Sequence, residues 1–271
     1  MSHRTFPDLS DTPAMRFKGA VGDLLFGGHA HRMILRATAV VMVFHRVDDR
    51  LKGNPITCTR EQFSRYCDFF AQHFTVLPLS ELVRRLREGR PLGGCLSITF
   101  DDGYLDNYEA AAPELERRGL PATFFIASGL IGSTTQPWWD EEWSAPATWM
   151  EWSHVRELLA RGFEIGAHTI THADLGKVTG DAARQEIAGS KQRIEDETGR
   201  KVTLFSYPYG GARHIVEENR QLVKDAGFDC CFSACGGLIR PGTNLFRIPR
   251  VPITPWHASP GHVGFELLFR T

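Results

Sequence analysis

The run Leu96-Ser97-Ile98-Thr99-Phe100-Asp101-Asp102-Gly103-Tyr104 constrains the fold more than any other stretch of the chain. Its apolar, β-branched first half reads as a buried strand, and its second half sets two neighbouring carboxylates at the strand's tip. Adjacent Asp side chains repel each other, so a buried pair needs a cation or a shared proton to offset the cost. A second strand-like run, residues 163–167, ends in His168-Thr169-Ile170-Thr171-His172, two imidazoles four residues apart. One carboxylate and two imidazoles make a donor set for a divalent metal that leaves positions open for water and substrate.

The remaining segments supply a frame for these tips. Residues 39–44 form a short β-branched strand ending at His45. Thr59 and Gln62 have the spacing of a capping box, and Phe63, Tyr66, Cys67 and Phe70 follow at helical intervals. A strand at 75–77, a helix capped by Ser80, the strand from Cys95, a helix closed by Gly119 and Pro121, and a strand at 122–126 continue the alternation. Ser153 caps a further helix, and strands at 163–168, 204–210, 228–234 and 246–251 are separated by helices containing Ile187, Ile194, Ile215 and Val223. Seven or eight strands separated by helices imply a parallel sheet, expected to close into a single-domain α/β barrel. An open doubly wound sheet is the alternative. Either architecture collects chemistry at the carboxyl ends of strands, where His45, Asp101, Asp102, His168 and Tyr209 all fall.

Composition narrows the partners. A formal net charge of −1 and no long Lys/Arg run leave no electrostatic footprint for nucleic acid. Cys58, Cys67, Cys95, Cys230, Cys231 and Cys235 lack metal-ligand spacing and read as reduced core thiols, in preference to a thiolate site at 230–235. Residues 1–14 lack the apolar core of a signal peptide, and the longest apolar run, 39–44, is too short to span a bilayer. The cytoplasm is therefore the expected compartment. Within residues 15–36, Phe17, Val21, Leu24, Leu25, Phe26, Met33 and Leu35 alternate with Arg16, Lys18, Arg32 and Arg36, while Gly19, Gly22, Gly27 and Gly28 weaken a helix. Residues 1–36 are read as an arm packed outside a domain spanning 37–271. Weak contact with the inner membrane surface through residues 15–36 is the other reading.

Three segments carry a family likeness. Thr99 to Tyr104, His168 to His172 and Phe205-Ser206-Tyr207-Pro208-Tyr209-Gly210 resemble the signature segments of the polysaccharide deacetylases, metal-dependent enzymes with a distorted (β/α) barrel. The likeness runs from about Val40 to Val251 and includes Phe44-His45-Arg46-Val47 and Leu120-Pro121-Ala122-Thr123-Phe124-Phe125. It implies a divalent metal, zinc first and cobalt, nickel or manganese next, on Asp102, His168 and His172. It also implies Asp101 as general base and the Tyr209 N–H as an oxyanion donor. The implied reaction removes N-acetyl groups from amino sugars in a polysaccharide, an oligosaccharide or a lipid-linked glycan. Hydrolysis of a small non-sugar amide or imide is an alternative, as is a carbohydrate-binding relative without catalysis, although the intact Asp101 and ligand set oppose the latter.

Two departures from the family pattern need substitutes. Ser206 stands where the family often has an Arg that orients the base, and Arg250 is the expected replacement, with a surface salt bridge as the alternative. The family's C-terminal Leu-x-His is absent. Closure of a barrel sets the first strand beside the last, so His45 is expected to be the general acid, and His257 and His262 are the other candidates. The long, aromatic segment 128–148 points to substrate contact by Trp138 and Trp139, and Tyr104 and Tyr207 are further expected contacts.

Overall fold

Backbone alternation along short buried strands decides how this chain folds. The structure is a computed structural model that describes residues 12–51, 53–141, 146–257 and 259–269. Most of the leader reading of residues 1–14 lies outside that set, as does Trp143 in the aromatic segment. In chain order the elements begin with α1 (Pro13–Gly27), α2 (Ala30–Ile34), β1 (Ala39–Phe44), β2 (Arg46–Val47), β3 (Thr57–Cys58), α3 (Arg60–His73), β4 (Thr75–Val76) and α4 (Leu79–Arg87). They continue with β5 (Cys95–Phe100), a π-helical turn (Asn107–Ala111) running into α5 (Ala112–Glu116), β6 (Ala122–Ile126), α6 (Trp152–Ala160) and β7 (Glu164–Ala167). The last are α7 (Gly180–Thr198), β8 (Leu204–Ser206), α8 (Glu217–Asp225), β9 (Cys230–Phe232), β10 (Val251–Pro252) and α9 (Pro260–Phe269).

The main sheet has the order β10-β1-β5-β6-β7-β8-β9, every neighbour parallel, with β4 beside the start of β5. Its two edges meet: Phe232 in β9 bridges to Ile248, and three residues later Val251 pairs with Met42 in β1. The result is the expected single-domain, distorted parallel barrel, with a thin seam at residues 248–252.

Side chains pointing out of the sheet, including Val40, Met42, Phe44, Leu96, Ile98, Phe100 and Phe124, form one apolar cluster with the surrounding helices. The Phe44, Phe100 and Phe124 rings stack in series at 5.5 and 5.0 Å. Those pointing inward divide by height. Near the floor, Ala39, Val41, Phe125 and Leu204 pack with Leu79, Leu82, Val83 and Leu86 of α4, which plugs the barrel. Each such Leu contributes about 1.5–3 kcal/mol by leaving water. Gly166 makes room for this layer, because a Cβ there would lie 2.3 Å from the Phe125 ring. Higher up, Thr99, Asp101, Ser206 and Arg250 are all buried and polar. The barrel therefore has an apolar floor and a polar mouth.

Four local expectations differ from the structure. The Thr59–Gln62 capping box is present, but Ser80 lies inside α4 rather than capping it. The N-cap is Pro78, which has no capping side chain, and Glu164 of β7 accepts the Leu79 N–H at 2.9 Å instead. Helix α6 likewise starts from Glu151, not Ser153, with the Glu151 N–H donated to His154 Nδ1 at 3.1 Å. Residues 246–251 supply only a 3-10 turn (Leu245–Arg247) and then β10, because Pro249 and Pro252 remove ladder donors. Finally, α1 forms despite its glycines, which let it cross α9 at backbone contact, and Phe26 and Leu35 from this segment join the main core. Among the described residues, no helix is long and apolar enough to cross a membrane.

Candidate active site

Strand register brings the polar tips together. His45 follows Phe44, which pairs with Phe100, so carrying the register one residue on sets His45 opposite Asp101 on the inward face. The Ala167↔Phe205 pair similarly aligns His168 with Ser206. His168 Nδ1 lies 2.8 Å from the Ser206 carbonyl, an arrangement in which Nδ1–H donates and the Nε2 lone pair faces the mouth. That Nε2 is 3.4 Å from Asp102 Oδ1, and His172 Nε2 is 3.3 Å from the same oxygen. The three candidate ligand atoms lie within 4.8 Å of one another, and all three residues are buried.

This donor set fits a divalent metal. Asp102 Oδ1 is a buried oxygen that no donor reaches in hydrogen-bond geometry, although two imidazole nitrogens converge on it. Burial pushes the Asp102 carboxyl up, but the His172 and His168 imidazoles outweigh it and hold the group well below the usual carboxylate range. Burial also lowers the His172 imidazole, which favours the neutral form a metal needs. No other group of His, Cys, Asp and Glu among the described residues converges in this way. The six cysteines are unpaired thiols, five of them buried.

Asp101 is held differently. Arg250, fully buried inside the barrel rather than on its surface, donates Nη1–H to Asp101 Oδ1 at 2.7 Å and Nη2–H to Oδ2 at 2.6 Å. It also donates to Ser206 Oγ (2.7 Å), Thr99 Oγ1 (3.2 Å) and the Ser233 carbonyl (3.0 Å). Burial raises the Asp101 pKa, yet the Arg250 guanidinium more than compensates and holds the carboxyl below its ordinary value. Two adjacent carboxylates thus have different partners, one a guanidinium and the other a pair of imidazoles.

Backbone strain concentrates here. Of the five non-glycine residues with positive φ among those described, Asp102 (79°), Thr169 (65°), His172 (59°) and Tyr209 (62°) belong to the site's loops. Such conformations cost of order 1–3 kcal/mol each and persist only where surrounding structure enforces them. The Tyr209 N–H finds no acceptor among the described residues. Its ring lies 4.7 Å from that of His172, the Trp139 ring lies 4.6 Å from the same imidazole, and the Trp139 and Tyr209 rings are 6.1 Å apart. Trp138 is exposed and meets Trp139 edge-on at 5.7 Å, so the mouth has an aromatic wall.

Tyr104 and Tyr207 are not at that mouth, which corrects the expectation that they contact substrate. Tyr104 is fully buried, stacks on Trp149 at 4.6 Å and donates its hydroxyl to Asp140 Oδ2 at 2.7 Å. Tyr207 follows inward-facing Ser206 and so points outward, its ring against Phe205 in the main core. His257 and His262 are both engaged with Glu266, at 3.2 and 3.3 Å, in the layer formed by α1 and α9. His45, by contrast, lies within electrostatic reach of both Asp101 and Asp102.

Sequence reasoning missed the support behind the aromatic wall. Trp139 Nε1–H donates to the Tyr104 hydroxyl at 2.8 Å, and Arg46 donates to Asp140 at 3.3 Å and Asp106 at 3.1 Å. It also missed the Asp174–His214 pair (2.7 Å), which joins the His172 loop to the Tyr209 loop, where His214 packs 5.1 Å from the Tyr209 ring. These partners are far apart in the chain and have no motif spacing.

Comparison with known proteins agrees with this geometry. Residues 88–231 match the family model for polysaccharide deacetylase. YxkH of Bacillus subtilis, itself named as a polysaccharide deacetylase, is 24% identical over 217 residues, covering 79% of this chain and 71% of its own. The poly-β-1,6-N-acetyl-D-glucosamine N-deacetylase of Staphylococcus epidermidis is 23% identical over 208 residues, covering 72% and 68%. In fold, the chain is similar to Streptococcus pyogenes deacetylase PplD in complex with acetate, with a TM-score of 0.71 at 20% identity over 84% of this chain and 97% of that one. IcaB from Ammonifex degensii gives 0.68 at 23% identity over 82% and 98%. With its matched segment covering more than half of the sequence and enclosing both the acid pair and the two histidines, the chain belongs to the polysaccharide deacetylase family.

Proposed function

We propose that this protein is a metal-dependent hydrolase that removes acetyl groups from N-acetylated amino sugars within a glycan. The observation that carries the reading is a buried Asp-His-His donor set directly beside a second carboxylate that a guanidinium keeps ionised. A divalent ion on Asp102, His168 and His172, with zinc the first expectation and cobalt, nickel or manganese next, supplies Lewis acidity toward the amide carbonyl and the attacking water.

The chain's own groups do the rest. Asp101 takes the proton of the attacking water, and the bidentate Arg250 contact fixes its plane and favours its ionised form. The Tyr209 N–H, held without an internal acceptor by its left-handed backbone, donates to the developing oxyanion. His45 returns a proton to the departing amine from the first strand, across from Asp101. Trp138, Trp139 and Tyr209 offer apolar faces to pyranose C–H groups. The named activity of the Staphylococcus epidermidis relative makes a β-linked N-acetylglucosamine oligomer the first substrate to test.

The deciding measurement is acetate release from such oligomers by protein as purified, after chelation, and after re-addition of single metal ions. Release that chelation abolishes and one ion restores is expected. Chelator-resistant release, or none with any ion, would overturn the reading.

A further inference from the structure

Seven large apolar side chains are exposed among the described residues. Trp138 and Tyr209 belong to the site's mouth, whereas Phe17, Leu24, Met33, Ile34 and Phe269 all lie on α1, α2 and α9. Helix α9 buries Val263, Leu267 and Leu268 in the core and exposes Phe269 at its end, whereas α1 and α2 turn large apolar residues outward. The buried residues of α1 are Gly19, Gly22 and Phe26, while Phe17 and Leu24, two turns apart on one face, are 67% and 74% exposed. Gly22 sits so close to α9 that a Cβ there would lie 1.8 Å from the Gly261 carbonyl. Backbone contact holds the two helices together, and Phe17 and Leu24 are left facing away from the core. Helix α2 repeats the pattern, burying His31 and exposing Met33 and Ile34. A helix that belongs only to a folded core turns its apolar stripe inward.

Basic residues outnumber acidic ones around this face. Between Thr12 and Val47 the only acidic residue is Asp23. Lys18 is paired with Glu266 of α9, but Arg32 and Arg36, which bracket Met33 and Ile34, are exposed and have no ion pair among the described residues. Apolar side chains set between unpaired arginines match the two levels of an anionic membrane surface, acyl chains beneath and phosphates above. We propose that α1, α2 and α9 form a face that docks the protein on an anionic lipid bilayer. At 15 residues α1 lies along the surface rather than across it. Docking uses neither the metal ligands nor the aromatic mouth, so it stands apart from the hydrolase reading.

Flotation of the full chain with vesicles tests it, comparing phosphatidylcholine alone with a phosphatidylcholine–phosphatidylglycerol mixture. The protein is expected to float with the mixture, less so at high salt. Arg32→Gln with Arg36→Gln should lower the partition coefficient roughly thirty-fold on the mixture. Phe17→Ser with Leu24→Ser should lower it roughly tenfold or more on both compositions, at unchanged Tm because both side chains are exposed. Failure of the wild type to float overturns the proposal. Unchanged flotation of both variants does so too, and so does a dimer in sedimentation that Phe17→Ser with Leu24→Ser dissociates, since that outcome assigns the face to a second copy.

Discussion

Replacing Arg250 by Met should expose how strongly the barrel depends on one buried ion pair. The substitution keeps an unbranched apolar stem and removes both charge-assisted bonds to Asp101, together with those to Ser206, Thr99 and Ser233. Thr99 keeps its bond to the Met42 carbonyl at 2.8 Å, so the main loss is the pair itself. Two charge-assisted bonds at about 1.5–3 kcal/mol each agree with the roughly 3–5 kcal/mol expected when a buried carboxylate loses its partner. Asp101→Asn in the same chain removes the stranded charge, so the double variant should be more stable than Arg250→Met alone, with a coupling energy of about 2–4 kcal/mol. Urea unfolding in the presence of chelator measures this without metal linkage, provided m stays constant across the cycle. If the single effects add to within about 0.5 kcal/mol, the guanidinium does not hold the carboxylate and the positioning role fails.

Four further outcomes follow from the same structure. Asp102→Ala, His168→Ala and His172→Ala should each lose bound metal by elemental analysis, and stoichiometric metal in any of them removes that residue from the ligand set. His45→Ala should keep metal and lose roughly a hundredfold or more on acetamides, while nitrophenyl acetate, whose leaving group needs no proton, is cleaved nearly as before. Tyr104→Phe should cost about 1–3 kcal/mol in unfolding experiments and raise KM for oligomers more than it lowers kcat, because Trp139 loses its anchor; unchanged KM would leave the wall independent of Tyr104. Burial holds His31 and His73 below the ordinary imidazole pKa, so the unfolded chain binds protons first and stability should fall as pH drops below about 6.5. His31→Phe should flatten that fall in thermal melts, and an unaltered profile places the acid sensitivity elsewhere.

What the sequence revealed was mostly local. The β-branched run into Asp101 and Asp102, the His168–His172 spacing and the Thr59 capping box each depend on a few consecutive residues, and each appears as expected. The expected contact at Tyr207 failed because that residue lies one beyond an inward Ser206, and strand alternation turns it to the outer face. Ser80 failed as a cap because Glu164, 84 residues away, reaches the same backbone. The glycines of α1 read as helix breakers, and only the presence of α9 turns them into a contact surface. Arg250 and Asp101 lie 149 residues apart, so their pairing becomes visible only once the barrel has closed.

The seam of the barrel gives that pairing a kinetic side. Arg250 sits between Pro249 and Pro252 in the segment that joins the two sheet edges, and each proline removes one backbone donor from it. Ile248 N–H reaches the Cys231 carbonyl, Ser233 N–H the Ile248 carbonyl, Gly236 N–H the Arg250 carbonyl and Ile253 N–H the Val43 carbonyl, while Val251 and Pro252 pair with Met42 and Val43. Strand β5, which carries Asp101, is instead laddered on both sides. The carboxylate is thus carried at the end of a six-residue strand and its cationic partner just before a two-residue one. Fraying of residues 248–253 has to break the five hydrogen bonds of the Arg250 side chain, so the ion pair that holds the carboxylate also slows the opening of the barrel's seam.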